Sequence, residues 1–126
     1  MTQEFKVEII SPEKSVYSDK TEEAILPCYE GQVTILKDHI PLITFLRPGL
    51  IQIGKNDKFY TEDGTVEFKD NNLLILSTSV QNLDKINNDK ISNMIKDAES
   101  KLSTNHISDK QRYILNYKIE TLKQIN

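Results

Sequence analysis

The side chains best suited to act as nucleophile, general base or metal ligand are few: His39, His106, Cys28 and scattered carboxylates. The two histidines fall in different segments and lack the spacing of a metal site. His39 follows Asp38 in a polar turn, where an imidazole most often makes a local or partner hydrogen bond. Cys28 lies in an alternating apolar run and reads as a small buried hydrophobe, not a nucleophile. Glu22 and Glu23 are adjacent on a strand, so they point to opposite faces and make a poor acid–base pair. No glycine-rich run ends in Gly-Lys-Ser/Thr, so a phosphate-cradling loop is absent. Tyr113 and Tyr117 are four apart on a helical pattern, and packing explains them better than base stacking. This inventory predicts a chain that is not itself an enzyme, with no catalytic residues, no metal and no cofactor. A net charge of −3 argues against nucleic acid as the main partner.

The elements that would position any surface fall into two groups. All four glycines and all four prolines precede residue 65. Residues 1–84 carry 8 Lys/Arg against 14 Asp/Glu, and residues 85–126 carry 8 against 5, so a −6 body precedes a +3 tail. In the body, Phe5, Val7 and Ile9 alternate with charged residues, and Ala24, Leu26 and Cys28 share one side of the next run. Strands are predicted around Val16-Tyr17, Val33 to Leu36, Leu42 to Leu46, Leu50 to Ile53, and Leu73 to Val80. Lys58 to Thr61 and Thr65 to Phe68 flank Glu62-Asp63-Gly64, a hairpin signal. Turns recur at Ser11-Pro12-Glu13-Lys14, Lys37-Asp38-His39, Arg47-Pro48-Gly49, Gly54 to Asp57 and Asp70-Asn71-Asn72. This spacing predicts a sandwich or barrel.

After Leu83 the period changes to helical. Ile91, Met94, Ile95, Ala98 and Leu102 form one stripe, and Ile114, Leu115, Ile119, Leu122 and Ile125 a second. Ser103-Thr104-Asn105-His106 separates them, and Ser108 with Gln111 has capping-box spacing. The fold class is therefore α+β: an N-terminal antiparallel β-sandwich over 1–84, then a C-terminal antiparallel two-helix hairpin over 85–126. The hairpin has too few apolar side chains to fold alone, so it requires a docking surface. The longest apolar run, Leu73 to Leu76, is far short of a membrane span. Met1 opens no signal-like segment, which predicts a chain that is not secreted.

Certain residues are more specific. Glu30-Gly31-Gln32-Val33-Thr34-Ile35-Leu36-Lys37-Asp38-His39-Ile40-Pro41-Leu42 resembles the Glu-Gly-x-x-Gly-Ile-Leu-Pro-Gly-His-x-Pro-Leu segment of the ε-subunit family of F-type ATP synthases. Ser11-Pro12-Glu13, Leu46-Arg47-Pro48-Gly49, Gly64-Thr65-Val66-Glu67 and Leu74-Ile75-Leu76 are similar to further family segments in the same order, and the two-helix tail fits as well. The resemblance implies a rotor component of the central stalk that couples the γ subunit to the membrane c-subunit ring by adhesion and torque. It implies peripheral attachment on the cytoplasmic face of a bacterial inner membrane, without insertion into it. It places Gln32 toward the c ring, and Ser11, His39 and Thr44 on or near the γ-facing surface. The competing expectation is a non-catalytic β-sandwich adaptor unrelated to the rotor.

Departures from the family pattern carry expectations of their own. Thr34, Lys37 and Asp38 replace Gly, Pro and Gly, and a type I turn at Lys37-Asp38 would preserve the loop. Some members bind ATP through Ile/Leu-Asp-x-x-Arg-Ala at the first tail helix. The aligned stretch here, Ile86-Asn87-Asn88-Asp89-Lys90-Ile91, has an amide for the carboxylate and an ammonium for the guanidinium, which predicts weak or no ATP binding. In bacterial members the hairpin can extend along γ and block hydrolysis at the catalytic subunits. Lys110, Arg112, Lys118 and Lys123 are then the candidate inhibitory contacts with an acidic β-subunit surface, with the α subunits as neighbours.

Overall fold

Alternating side chains become strands because one face of each can be buried while the other stays wet. The structure, a computed structural model, describes residues 3–104 and 106–125; Asn105 of the expected helix–helix break lies outside them. Among the described residues there are ten strands: β1 (Phe5–Ile10), β2 (Ser15–Thr21), β3 (Glu23–Cys28), β4 (Gly31–Leu36), β5 (Leu42–Leu46), β6 (Gly49–Ile53), β7 (Asp57–Thr61), β8 (Gly64–Lys69), β9 (Asn72–Leu76) and β10 (Gln81–Asn82). They hydrogen-bond in the order β10-β7-β6-β3-β5-β8-β9-β1-β2, with β4 on β3. The β3–β5 join rests on one residue pair, Cys28 with Leu46, so the sheet folds there into two layers. One layer is β10-β7-β6-β3-β4 and the other β5-β8-β9-β1-β2.

The two inner faces share a core that includes Phe5, Val7, Ile9, Leu26, Ile35, Ile51, Phe59, Val66, Phe68 and Ile75. Cys28 is buried among them, and burial, with the Glu30 carboxylate adding, pushes its thiol up to about 11. That environment disfavours a thiolate, in line with the sequence reading.

Three details of the body differ from expectation. Lys58–Thr61 and Thr65–Phe68 do not form a hairpin: β7 pairs with β6 and β10, while β8 pairs with β5 and β9. Glu62-Asp63-Gly64 is instead a corner between layers. The Ser79 hydroxyl accepts from the amides of Glu62 (2.9 Å) and Asp63 (3.2 Å), so those donors are turned away from any cross-strand ladder. Gly64 is required there, with a φ of 152° and only 2.6 Å between an added Cβ and the Leu76 carbonyl. The last long strand stops at Leu76 rather than Val80, because Ser77 and Ser79 join this corner network, and β10 resumes only briefly. Pairing is also not wholly antiparallel. Asp70 (φ 51°) and Asn71 (φ 60°) form a left-handed two-residue turn that folds β9 against β8. That places β9 beside β1, and the two run parallel from Lys6–Asn72 to Ile10–Leu76.

The tail forms α1 (Asn88–Leu102) and α2 (Asp109–Ile125). Asn87 caps α1 by accepting from the Lys90 amide at 2.7 Å. Ser108 and Gln111 form the reciprocal capping box at 2.9 and 3.1 Å. The hairpin docks on the outer face of the first layer. Its contact is a second, separate cluster of Tyr60, Ile91, Ile95 and Leu122, flanked by Leu50, Ile86, Met94 and Ile125. This explains why β7 does not alternate: Phe59 faces the sandwich core and Tyr60 the helices, and both are buried.

Candidate partner-binding surface

With helices over the first layer, the outer face of the second layer is left open. Its character follows from strand parity. In β5, Thr44 and Leu46 point inward, so Ile43 and Phe45 point out, at 77% and 58% exposure. Register aligns Phe45 with Thr65, Leu76 and Ile10 in one cross-strand row. Ile43 aligns with Glu67, Leu74 and Glu8 in the next. Leu76, in the first of these rows, is 43% exposed; Leu36 at the end of β4 and Ile40 in the loop before β5 are exposed large hydrophobes outside this face. A cluster of this kind on a folded domain marks a surface that meets another molecule.

The structure brings some of the expected contact residues to this face and separates others. Ser11 lies at the Leu76 end, its hydroxyl donating to the Lys14 carbonyl at 3.2 Å. His39 lies at the other end, where Leu42, Phe68 and Leu73 pair. Its Nδ1 is 2.7 Å from the Ile40 carbonyl, and its ring meets Phe68 edge-on at 5.9 Å. The two residues bracket a strand length of about 15 Å. Thr44 is 3% exposed, and its hydroxyl is committed to the Glu30 carboxylate at 2.8 and 3.0 Å. It anchors β5, and its neighbours Ile43 and Phe45 are the side chains offered outward. Gln32 is exposed on β4, away from this face, beside a hollow that Arg47, Tyr117 and Glu120 also line.

The turn before His39 keeps its shape by a different route from the one expected. Asp38 has φ 67°, so the turn closed by the His39 amide on the Leu36 carbonyl (3.1 Å) is not type I. Asn71 holds Asp38 in this conformation from across the sheet: its Oδ1 accepts from the Asp38 amide at 2.7 Å, and its Nδ2 donates to the Asp38 carboxylate at 2.9 Å. Asp is among the few residues that tolerate the left-handed region.

The tail cations divide by position. Lys110, Arg112 and Lys123 are exposed, Lys123 lying 4.0 Å from Glu99. Lys118 is only 16% exposed and pairs at 2.6 Å with Glu62, which also accepts the Tyr60 hydroxyl at 3.0 Å. In the docked hairpin Lys118 is a body contact and points to no outside partner. The stretch aligned with the ATP motif surrounds a shallow hollow. Asn87 is engaged as a helix cap there, Lys90 donates to Gln81 at 2.9 Å, and Asp89 and Asp97 add negative charge. Lys118 lines the hollow as well, so two lysines stand there against two aspartates.

Tyr113 and Tyr117 pack, and they do so across the two segments. Tyr29 stacks on Tyr113 at 5.9 Å and 13°, and the Tyr113 hydroxyl donates to the Tyr29 carbonyl at 3.3 Å. Tyr113 meets Tyr117 edge-on at 4.8 Å, and the Arg47 guanidinium lies 3.8 Å over the Tyr117 ring. Among the described residues no three His, Cys, Asp or Glu side chains gather to hold a metal. The open sheet face went unnamed at the level of residues, although Leu42 to Leu46 carries its signal: apolar side chains fall on both parities of one strand.

The sequence model for the ATP synthase delta/epsilon chain β-sandwich domain matches residues 4–82. An ATP synthase epsilon chain of Pelagibacter ubique is 45% identical over 130 aligned positions, covering 100% of both chains. The corresponding chain of Rhizobium meliloti is 26% identical over 81% of this chain and 79% of its own length. In fold, the chain is similar to one in the mitochondrial ATP synthase OSCP/F1/c-ring assembly of Euglena gracilis, with TM-score 0.79, 15% identity and coverage of 98% and 82%. It is also similar to one in the central stalk/c-ring of Tetrahymena thermophila mitochondrial ATP synthase, with TM-score 0.66, 16% identity and coverage of 94% and 93%.

Proposed function

The chain belongs to the ATP synthase delta/epsilon family, as an epsilon chain, and from that premise we propose how its surfaces serve the central stalk. It is a non-catalytic subunit of the complex. The open face of the second layer docks on γ, with Ile43, Phe45, Leu76 and Ile10 supplying the apolar contact and Ser11 and His39 its two ends. Gln32, on a separate edge, reaches the polar loops of the c ring. Torque then passes through the sandwich without bond chemistry. In this reading attachment runs through protein partners on the cytoplasmic face of the bacterial inner membrane; no described helix is long and apolar enough to cross a membrane. The tail does not bind ATP. When released from the body, its cations Lys110, Arg112, Lys118 and Lys123 meet the acidic surface of the β subunits, beside α, and slow hydrolysis.

The observation that carries the γ assignment is the exposure of Ile43 and Phe45 on a strand whose alternate residues Thr44 and Leu46 are buried. An unrelated adaptor would not require the family's loop, corner and tail in one order, so the rotor role is the better reading. Ile43→Asp tests it directly. The residue is exposed, so the fold survives, and an aspartate at the centre of the contact lowers γ affinity by about 100-fold or more. Wild-type affinity for γ in a calorimetric titration would refute the assignment of this face.

A further inference from the structure

Tail and body are joined mostly by packing, and charge enters at one point. Of the three ion pairs among the described residues, Lys101 with Asp97 lies within α1 and Lys123 with Glu99 joins α1 to α2. The third, Lys118 with Glu62 at 2.6 Å, ties α2 to the corner between the layers. Its side chains are 16% and 31% exposed, so solvent and salt screen this pair less than the other two. The other polar joins reach uncharged groups: Lys90 the Gln81 side chain, Tyr113 the Tyr29 carbonyl, and Arg47 the Tyr117 ring. Glu62 is fixed from the body side. Its carboxylate accepts the Tyr60 hydroxyl at 3.0 Å, and Tyr60 is buried in the cluster under the hairpin. The corner does not depend on that carboxylate, since it is the Glu62 amide that donates to Ser79.

We propose that Glu62 is a body-side latch, which competes for the Lys118 ammonium with the acidic surface that the released tail meets. The inference rests on the inhibitory reading given above and names a residue that regulates it. One ammonium cannot serve both partners. Lys118 is enclosed while α2 is docked, and it leaves Glu62 behind when α2 lifts. Docking thus withdraws Lys118 from the tail cations, while Lys110, Arg112 and Lys123 stay exposed. Removing either partner strips a partly buried charge of its counter-ion. The opening equilibrium should then rise about tenfold, between the small effect of losing an exposed pair and the larger one of breaking a buried pair. The two removals differ in what they free. Loss of the Glu62 charge opens the tail with Lys118 intact, and loss of Lys118 opens it without that cation.

The test has two arms, amide hydrogen exchange on the full chain and ATP hydrolysis by the reconstituted catalytic complex. Glu62→Gln and Lys118→Ala should each speed exchange across 109–125 about tenfold and leave the amides of Leu26, Ile51 and Ile75 at the wild-type rate. The double variant should open no further than either single one, because the two changes break the same contact. Unchanged exchange in the single variants, or full additivity in the double, would overturn the latch. In the complex, Glu62→Gln should hydrolyse ATP more slowly than wild type, and Lys118→Ala should hydrolyse it faster than Glu62→Gln. Equal rates for the two variants would overturn the competition, since both open the tail alike. A chain lacking 85–126 separates this claim from the reading beneath it. If its loss leaves hydrolysis unchanged, inhibition by the tail is wrong and the competition falls with it, while the exchange arm still decides the latch.

Discussion

Leu122→Ala should open the hairpin and leave the sandwich closed. Leu122 has no exposed surface and sits at the centre of the cluster that joins tail to body, against Tyr60, Ile91 and Ile95. Truncating a buried leucine costs about 2–5 kcal/mol, depending on how far the surroundings collapse. Here the flanking Leu50, Ile86, Met94 and Ile125 are only partly buried and can close in, which favours the lower half of that range. A loss of about 3 kcal/mol corresponds to an opening equilibrium raised by roughly 100-fold. The sandwich core contains neither Leu122 nor any of its cluster partners, so the penalty falls on the hairpin alone. Native-state hydrogen exchange reads this directly: amides of 109–125 accelerate by that factor, while those of Leu26, Ile51 and Ile75 keep the wild-type rate. Equal acceleration in both regions would refute the reasoning, since it would mean that body and tail open as one unit. An unchanged tail would mean that other contacts hold the hairpin.

Two further outcomes follow from the body. The Cys28 thiol rises from 9.0 to about 11 on folding, so its neutral form is favoured in the native state. That stabilisation is complete below pH 9 and is lost between pH 9 and 11, amounting to about 2–3 kcal/mol; burial of Tyr60 raises its phenol and acts in the same direction. Thermal melts of wild type against Cys28→Ala over that range should converge in slope below pH 9 and diverge above it. At the 37–38 turn, Asp38→Gly should change stability by less than about 1 kcal/mol, because glycine's ease at a positive φ offsets the lost carboxylate bond to Asn71. Asp38→Val should lower it by about 1–3 kcal/mol in the same denaturation assay, since a β-branched residue at φ 67° is strained and loses Asn71.

Which residues face inward was readable in β1, where period two is clean, and in β3, where Ala24, Leu26 and Cys28 share one side; the unbroken apolar run of β9 gave no such signal. It was not readable in β7, because α1 and α2 bury Tyr60 on the side that alternation assigns to solvent. Partner choice between strands was invisible for a related reason. Glu62-Asp63-Gly64 has the composition of a hairpin turn, and only the distant Ser77 and Ser79 make it a corner. The capping box at Ser108 was legible because it is a local bargain between residues three apart. The Asp38–Asn71 brace was not, as its partners are 33 residues apart, with β5, β6, β7 and β8 between them. At the candidate surface, the segments around Ser11 and His39 were found through resemblance, whereas Thr44 turned out to face inward by the parity of its own strand.

The parallel pairing of β1 with β9 has a mechanical consequence. The start of β1 and the end of β9, from which the chain continues toward the tail, lie at opposite ends of the pair. A pull transmitted along these two strands therefore slides one past the other instead of peeling them apart. Five residue pairs, from Lys6–Asn72 to Ile10–Leu76, resist that slide together, and none can fail first as the terminal pair of a hairpin does. In a part that carries twist between larger bodies, this seam resists shear between its two strands.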